Sequence, residues 1–499
     1  MIMRIRGFLL GGLLGAAGCA LGPSTRVIPL PTPPARAGDS LVAPASRHFL
    51  DSLAAARGEE RADTGAAELW RPRPLALDTV GDRAWLAILQ DSALVALVDT
   101  AVANNRDFRA AVARVREYRA LAGVAMADLF PQISANGSAS ENQSVFGSFP
   151  AQNFNVVRVT ADLSWELDFW GRLRRQTQAG RFDRAGREED ERAALITLVS
   201  DVATAYLELR ELDQDLAISE QTLESRRATL ALARRRFAEG VISELDVRQF
   251  ESEAAAPAAR VAEFARQRAE KEHELSVLLG RAPGPIGRGR PLESAVQAVA
   301  VPDSIPADLL LRRPDVRRAE RDLQAALARV GLALGNRLPR VMLTGQYGRQ
   351  QQKFPDLFNS ANEIYLAQAG IALPLFTGGR LLNQQRAARA RADQARDQYE
   401  QTVLSALSES DDALSGLRLF RDQLVAQATQ VQALGRAFAL AQRRYENGVS
   451  SYLEVLDAQR GLFSAQLALV QLQRQYLGAT VRLYKALGGS WSVPVPAGR

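Results

Sequence analysis

The chain has 499 residues, 47% hydrophobic and 24% charged, enough for a large core or for an extended architecture. Its net charge of +6 comes from 62 basic against 56 acidic residues with no long basic block, so no nucleic-acid-binding stripe is expected. A single cysteine, Cys19, and two histidines, His48 and His273, exclude an intrachain disulfide and an ordinary Cys/His zinc site; no metal, cofactor or catalytic constellation is expected.

The first residues carry a targeting signal. Arg4 and Arg6 form a short basic region, Gly7 to Ala17 is apolar, and Ala16-Ala17-Gly18-Cys19 resembles a bacterial lipobox, which is cut before the cysteine and acylated on it. This predicts a signal peptide over 1–18, lipidation of Cys19 and, over 19–80, a tether rich in Ala, Pro and Arg. An ordinary signal peptide that happens to hold a cysteine stays open as the alternative. Ala20 follows the cysteine where an Asp would resemble inner-membrane retention, so the signal resembles outer-membrane sorting. No later stretch reaches about 18 consecutive apolar residues, so no membrane-spanning helix is expected. Any crossing must be made by strands that close into a barrel.

The remainder reads as two copies of one unit. Asp107 precedes Asp315 by 208 residues (315 − 107), and the same offset relates Pro131 to Pro339, Gly171-Arg172-Leu173 to Gly379-Arg380-Leu381, and Leu279-Gly280 to Leu487-Gly488. The first repeat is placed at 81–280, a proline-rich linker with short helical pieces at 281–311, the second repeat at 312–488 and a tail at 489–499. Within the first copy, helical spacing of apolar residues predicts one helix over about 91–128, ended by Pro131. Two polar, alternating stretches follow, giving a strand pair over 131–169. In the second of them Val157, Val159, Ala161, Leu163, Trp165, Leu167 and Phe169 share one face, and polar residues hold the other. A soluble sandwich strand has the same pattern, but the length suits a tilted membrane strand. The second copy repeats the pair over 338–376.

After Gly171 comes a very long helix with Leu195, Val202, Leu209, Leu216, Leu223, Leu230 and Phe237 spaced by sevens. The second copy matches with Val403, Ser410, Leu417, Leu424, Val431, Phe438 and Tyr445. Such a stripe marks helices packed side by side along their length, and the helix would run on the order of 100 Å. Gly240 and Gly448 are placed as left-handed caps at the hairpin turns. Ser243-x-x-Asp246 and Ser451-x-x-Glu454 restart the chain with capping-box signatures. The returning helices span about 243–279, kinked at Pro257, and 451–487. His273 lies in a charged helical run and is read as part of a solvated face. Four strands cannot close a barrel alone, so oligomerisation around one axis is expected.

These features resemble the TolC/OprM outer-membrane efflux channels, of the NodT-like lipoprotein branch that serves RND-type pumps. The resemblance rests on Trp165-Glu166-Leu167-Asp168-Phe169-Trp170-Gly171-Arg172-Leu173, Leu311-Arg312-Arg313-Pro314-Asp315-Val316-Arg317, Pro374-Leu375-Phe376-Thr377-Gly378-Gly379-Arg380-Leu381 and Tyr452-Leu453-Glu454-Val455-Leu456-Asp457-Ala458-Gln459-Arg460, and covers roughly 81–491. It implies a mainly α chain with long coiled hairpins forming a trimeric α-barrel tunnel, and a shared β-barrel of about twelve strands in the outer membrane. The implied partners are a periplasmic adaptor and an inner-membrane pump. A type I secretion duct, and more distantly a periplasmic adaptor or a purely structural coiled coil, are the alternatives. The resemblance also implies a periplasmic gate at Leu453, Glu454 and Asp457, and a hairpin-tip lock between Asp246 and Tyr445. Glu454 and Asp246 are equally readable as capping residues. Ser450 stands where the family offers an arginine to the lock, with Arg443 or Arg444 as substitutes.

Overall fold

A computed structural model describes residues 89–144, 152–298, 311–358, 362–447 and 449–489. The expected signal peptide, Cys19, the tether, residues 299–310 of the linker, Gly448 and the tail beyond 489 lie outside the described residues.

In chain order the elements are α1 (Ser92–Asn104), α2 (Arg106–Ala127), β1 (Gln132–Ser144), β2 (Gln152–Leu167), α3 (Arg172–Ala238), α4 (Glu244–Leu278), α5 (Leu292–Ala298), α6 (Pro314–Gly335), β3 (Arg340–Gln351), β4 (Glu363–Ala372), α7 (Arg380–Glu446) and α8 (Tyr452–Ala486). The duplication is visible in the boundaries. Both ends of α3 and α7, of α4 and α8, and of α2 and α6 differ by 208 (380 − 172, 446 − 238, 452 − 244, 486 − 278, 314 − 106, 335 − 127).

Two local expectations change. The single helix over 91–128 is interrupted at Asn105, whose Oδ1 accepts from the amide of Phe108 at 2.9 Å and so caps α2, while its amide donates to the carbonyl of Leu278. The strand expected to run to 376 stops at Ala372, because Pro374 has no N–H for the ladder.

The described residues of one unit fall in 113–189 and 317–402 and hold a four-stranded antiparallel sheet in the order β1-β2-β3-β4. Its register decides its chemistry. Ile133 lies opposite Leu163, Leu163 opposite Gly345 and Gly345 opposite Ala367. Two residues along, Ala135, Ala161, Tyr347 and Tyr365 continue this apolar face, and the row beyond them, with Gly137 and Val159, carries the Arg349–Glu363 ion pair. The other face is polar. There the Asp162 carboxylate accepts from Asn136 at 2.5 Å and from Gln346 at 2.7 Å. At the end of the sheet where helices leave, Phe130, Phe169, Trp170, Leu375 and Phe376 are exposed, the last at 91%. The indole N–H of Trp170 donates to the carbonyl of Pro339 at 2.8 Å, fixing the ring at that rim.

The other unit takes the described residues among 30–112, 190–316 and 403–499. Along α3 the stripe Val202, Leu209, Leu216 and Leu223 is buried, and so are Leu198, Ala205, Ser219, Arg226 and Ala233 at the complementary seam positions. Ser410, the polar break in the α7 stripe, is buried but satisfied by donating to the carbonyl of Ala406 at 2.8 Å. Gly240, Gly280 and Gly488 adopt φ of +73°, +69° and +73° at helix ends. At Gly280 a Cβ would come within 2.4 Å of the Asn104 carbonyl oxygen, so that helix end admits no side chain. The Arg-Pro-Asp motif has a structural task. The buried Arg313 donates to the Ala486 carbonyl at 3.0 Å and pairs with Asp315 and Glu409, tying the start of α6 to the end of α8.

Candidate functional site at the hairpin tips

The turns between α3 and α4 and between α7 and α8 bring together most of the residues expected at the gate. Leu453, Glu454 and Asp457 lie on the exposed side of the first turns of α8, while Val455, Leu456 and Gln459 are turned inward. Their spacing of three and four places them on one helical face. Leu453 is 62% exposed, an apolar side chain presented to solvent beside two carboxylates.

The two capping boxes come out differently. In the first hairpin Ser243 and Asp246 form the reciprocal pair: Asp246 Oδ2 accepts from the Ser243 amide at 2.9 Å and from its hydroxyl at 2.7 Å. These bonds hold the Asp246 carboxyl below the usual carboxylate range, so it is ionised at neutral pH. In the second hairpin Ser451 makes no side-chain cap bond, and the longer Glu454 side chain turns to Arg444 at 3.6 Å instead. The capping expected for Glu454 is therefore not formed.

Nor do Asp246 and Tyr445 meet through a hydrogen bond within the chain. Arg236 reaches Tyr445 first, donating to its hydroxyl at 2.6 Å with the guanidinium 5.6 Å from the ring centre. Ser450 buries its hydroxyl oxygen without a hydrogen-bond partner among the described residues. Asp246 and Tyr445 do share a cavity of about 290 Å³, lined also by Leu232, Arg236, Phe250 and Tyr452. An aromatic row crosses it, with ring centres 4.4 Å apart for Phe250–Tyr452 and 5.3 Å for Tyr445–Tyr452. Burial pushes the Tyr452 phenol up.

Below this lies an ion cluster that the expected lock and gate residues do not include. Glu253 of α4 accepts from Arg226 of α3 and from Arg460 of α8, and Arg226 also donates to the Glu253 backbone carbonyl at 2.8 Å. Burial lowers the Arg226 pKa in spite of this partner, whereas the bond to Glu253 raises that of the exposed Arg460. Gln459 adds a bond to Ser225 at 3.3 Å. Arg236–Tyr445, Arg460–Glu253 and Gln459–Ser225 thus join the two hairpins near their ends. The signal that could have found the cluster is Arg226 itself, a charge on the buried seam of α3 that otherwise carries Leu, Ala and Ser.

Further along α3, Asp215 is buried with one carboxylate oxygen unpartnered, and burial, assisted by Glu211, pushes its carboxyl up to about 7. The unfolded group ionises near its ordinary value, so folding takes up a proton and stability falls as pH rises from about 4 to about 7. Asp215→Asn should flatten that slope and raise the melting temperature at about pH 8, with little change at about pH 4. A slope unchanged in a thermal-melt series would show that Asp215 does not titrate this way.

A two-faced sheet whose rim is aromatic, joined in sequence to very long paired helices, defines a class of outer-membrane duct proteins. The sequence profile of the outer membrane efflux protein family matches residues 97–281 and 305–489, and the chain belongs to that family. It is 37% identical over 412 residues, 81% of this chain and 87% of the relative, to the solvent efflux pump outer membrane protein SrpC of Pseudomonas putida. It is 31% identical over 418 residues to the cation efflux system protein CusC of Escherichia coli, covering 83% of this chain and 90% of that one. Among solved structures, the outer-membrane channel OprN superposes with a TM-score of 0.78 at 29% identity, covering 95% of this chain and 100% of that one. CusC superposes with a TM-score of 0.75 at 30% identity, covering 80% and 93%. The chain is an outer-membrane channel of a tripartite efflux system, spanning the outer membrane into the periplasm and working with an adaptor and an inner-membrane pump. The family is a transport duct rather than a catalytic one.

Proposed function

We propose that three copies of this chain, each anchored by an acylated Cys19, form a passive exit duct for toxic small molecules delivered by an RND-type pump. The observation that carries this is the sheet. One face is largely apolar and the other largely polar, yet among the described residues β1 and β4 are each paired on one side only. Open strand edges are not stable in lipid. Three sheets placed edge to edge give a barrel of about twelve strands with lipid outside and water inside.

The gate in this proposal is the ring built by Leu453, Glu454 and Asp457 from each protomer. Repeated three times, the two carboxylates put about six negative charges around the constriction, which favours cations. Adaptor docking at the tips draws the hairpins apart, and the duct widens as Arg236–Tyr445 and Arg460–Glu253 separate. The efflux substrates that the relatives' names give, solvents and cations among them, point to small apolar or cationic cargo. Asp457→Ala should raise conductance or lower cation preference in planar bilayers, by roughly two-fold or more if the ring sets the field at the constriction. Unchanged conductance and selectivity would remove Asp457 from the gate.

A further inference from the structure

Pro257 is buried well inside α4. In a regular α-helix the N–H of residue 257 would reach the carbonyl of Glu253, four residues back. Proline has no N–H, and its ring pushes that carbonyl off the helix ladder. A buried carbonyl without a donor is costly. Here the donor comes from the neighbouring helix. Arg226 of α3, 5% exposed, donates from Nη1 to the Glu253 carbonyl at 2.8 Å. The same nitrogen donates to Oε2 of the Glu253 side chain. One buried nitrogen thus ties the Glu253 carboxylate to its own backbone. The fork of the guanidinium is not used in full, since Nε of Arg226 is buried with no hydrogen-bond partner among the described residues.

That tie decides where the other carboxylate oxygen points. Oε1 accepts from Nη2 of Arg460 in α8. The two halves of the cluster differ in burial. Arg226 is enclosed and belongs to the same hairpin as Glu253, whereas the Arg460 side chain is 57% exposed and comes from the other hairpin. Separating Arg460 leaves no uncompensated charge in the interior, because Arg226 and Glu253 stay paired and Arg460 passes into water.

The second hairpin packs the same positions without charge. Those 208 residues on from Arg226, Glu253 and Pro257 are Leu434, Gly461 and Ala465. A Cβ on Gly461 would lie 3.4 Å from a methyl of Leu434, so the first two positions meet in this hairpin as well. There a leucine sits over a glycine, and the alanine has the N–H that the ladder needs. Packing the two helices of a hairpin therefore requires neither the ion pair nor the proline. The three exceptional residues occur together, in the hairpin that Arg460 reaches.

We propose that Arg226 and Pro257 are positioning residues for the gate. The proline frees the Glu253 carbonyl, Arg226 binds it together with the carboxylate, and Glu253 is thereby held in the orientation that Arg460 can join and leave. This rests on the reading that Arg460–Glu253 restrains the duct.

The test is the conductance of the full-length channel in planar bilayers, with Arg460→Gln introduced into several backgrounds. Loss of an exposed ion pair shifts an equilibrium by about two- to five-fold, and Arg460→Gln should raise basal conductance by that factor in the otherwise wild-type channel. In Pro257→Ala or Arg226→Leu, Arg460→Gln should add little, because Glu253 is no longer presented to it. General destabilisation would raise conductance in these backgrounds without erasing the Arg460 increment. Arg226→Lys should preserve the increment, since one ammonium can make both bonds that Nη1 makes. An increment of equal size in every background would overturn the proposal, and so would its loss in Arg226→Lys. An increment lost in Arg226→Leu but kept in Pro257→Ala would overturn the role of the freed carbonyl. A channel whose conductance ignores Arg460→Gln altogether would instead sink the reading that this pair restrains the duct, and the positioning role with it. If Arg226→Leu does not assemble, Pro257→Ala, which restores a helix N–H, decides.

Discussion

Glu253→Ala should open the hairpin tips. The substitution strands Arg226, which is 5% exposed and reaches no other carboxylate among the described residues, and it frees Arg460 from the neighbouring hairpin. Breaking a buried pair by removing one partner costs about 3–5 kcal/mol, because the remaining charge stays out of water. The expected results are a markedly lower melting temperature and a higher basal conductance in planar bilayers. Glu253→Gln keeps the shape and part of the hydrogen bonding, and should show the same changes in smaller degree. A variant with wild-type melting and conductance would mean that the cluster neither supports the hairpins nor restrains the tip.

The second large effect separates the two faces of the sheet. Leu163 and Ser164 are adjacent, yet Leu163 lies in the apolar row with Ile133 and Gly345, and Ser164 in the polar row with Gln132 and Thr344. Near the middle of a bilayer an arginine on the lipid side of a barrel costs about 2–4 kcal/mol, whereas on the lumen side it meets water. Leu163→Arg should therefore deplete the protein from the outer-membrane fraction, while Ser164→Arg should assemble normally and alter ion selectivity. Equal behaviour of the pair in fractionation and heat-modifiability gels would contradict the assignment of the faces.

Much of this architecture is legible in the sequence, because a duplication gives each landmark a second reading. The constant offset places the matched helix ends, and period two in β2 places the apolar row. What escaped had local causes. Asn105 splits the first helix because its side chain finds the Phe108 amide, a competition that helical spacing of apolar residues does not report. Pro374 shortens β4, although the alternating pattern runs past it. Spacing alone reads Glu454 as a capping partner; the structure gives it Arg444, in the last turn of α7.

The cross-hairpin bonds were harder to foresee. Arg236–Tyr445 and Glu253–Arg460 join residues 209 and 207 apart in sequence. Glu253 also has no acidic twin, since the matching residue of the second copy is Gly461. Divergence between the copies, rather than their likeness, is what marks the ion cluster at the tips.

The central claim is that a lone protomer is incomplete and closes a water-filled barrel only with others of its kind. Native mass spectrometry of the full-length protein extracted from outer membranes, with conductance recorded on the same preparation, tests it most directly. Three protomers, each bearing an acyl group on Cys19, and discrete channel steps are expected. A detergent-independent, water-soluble monomer with no conductance would contradict the account.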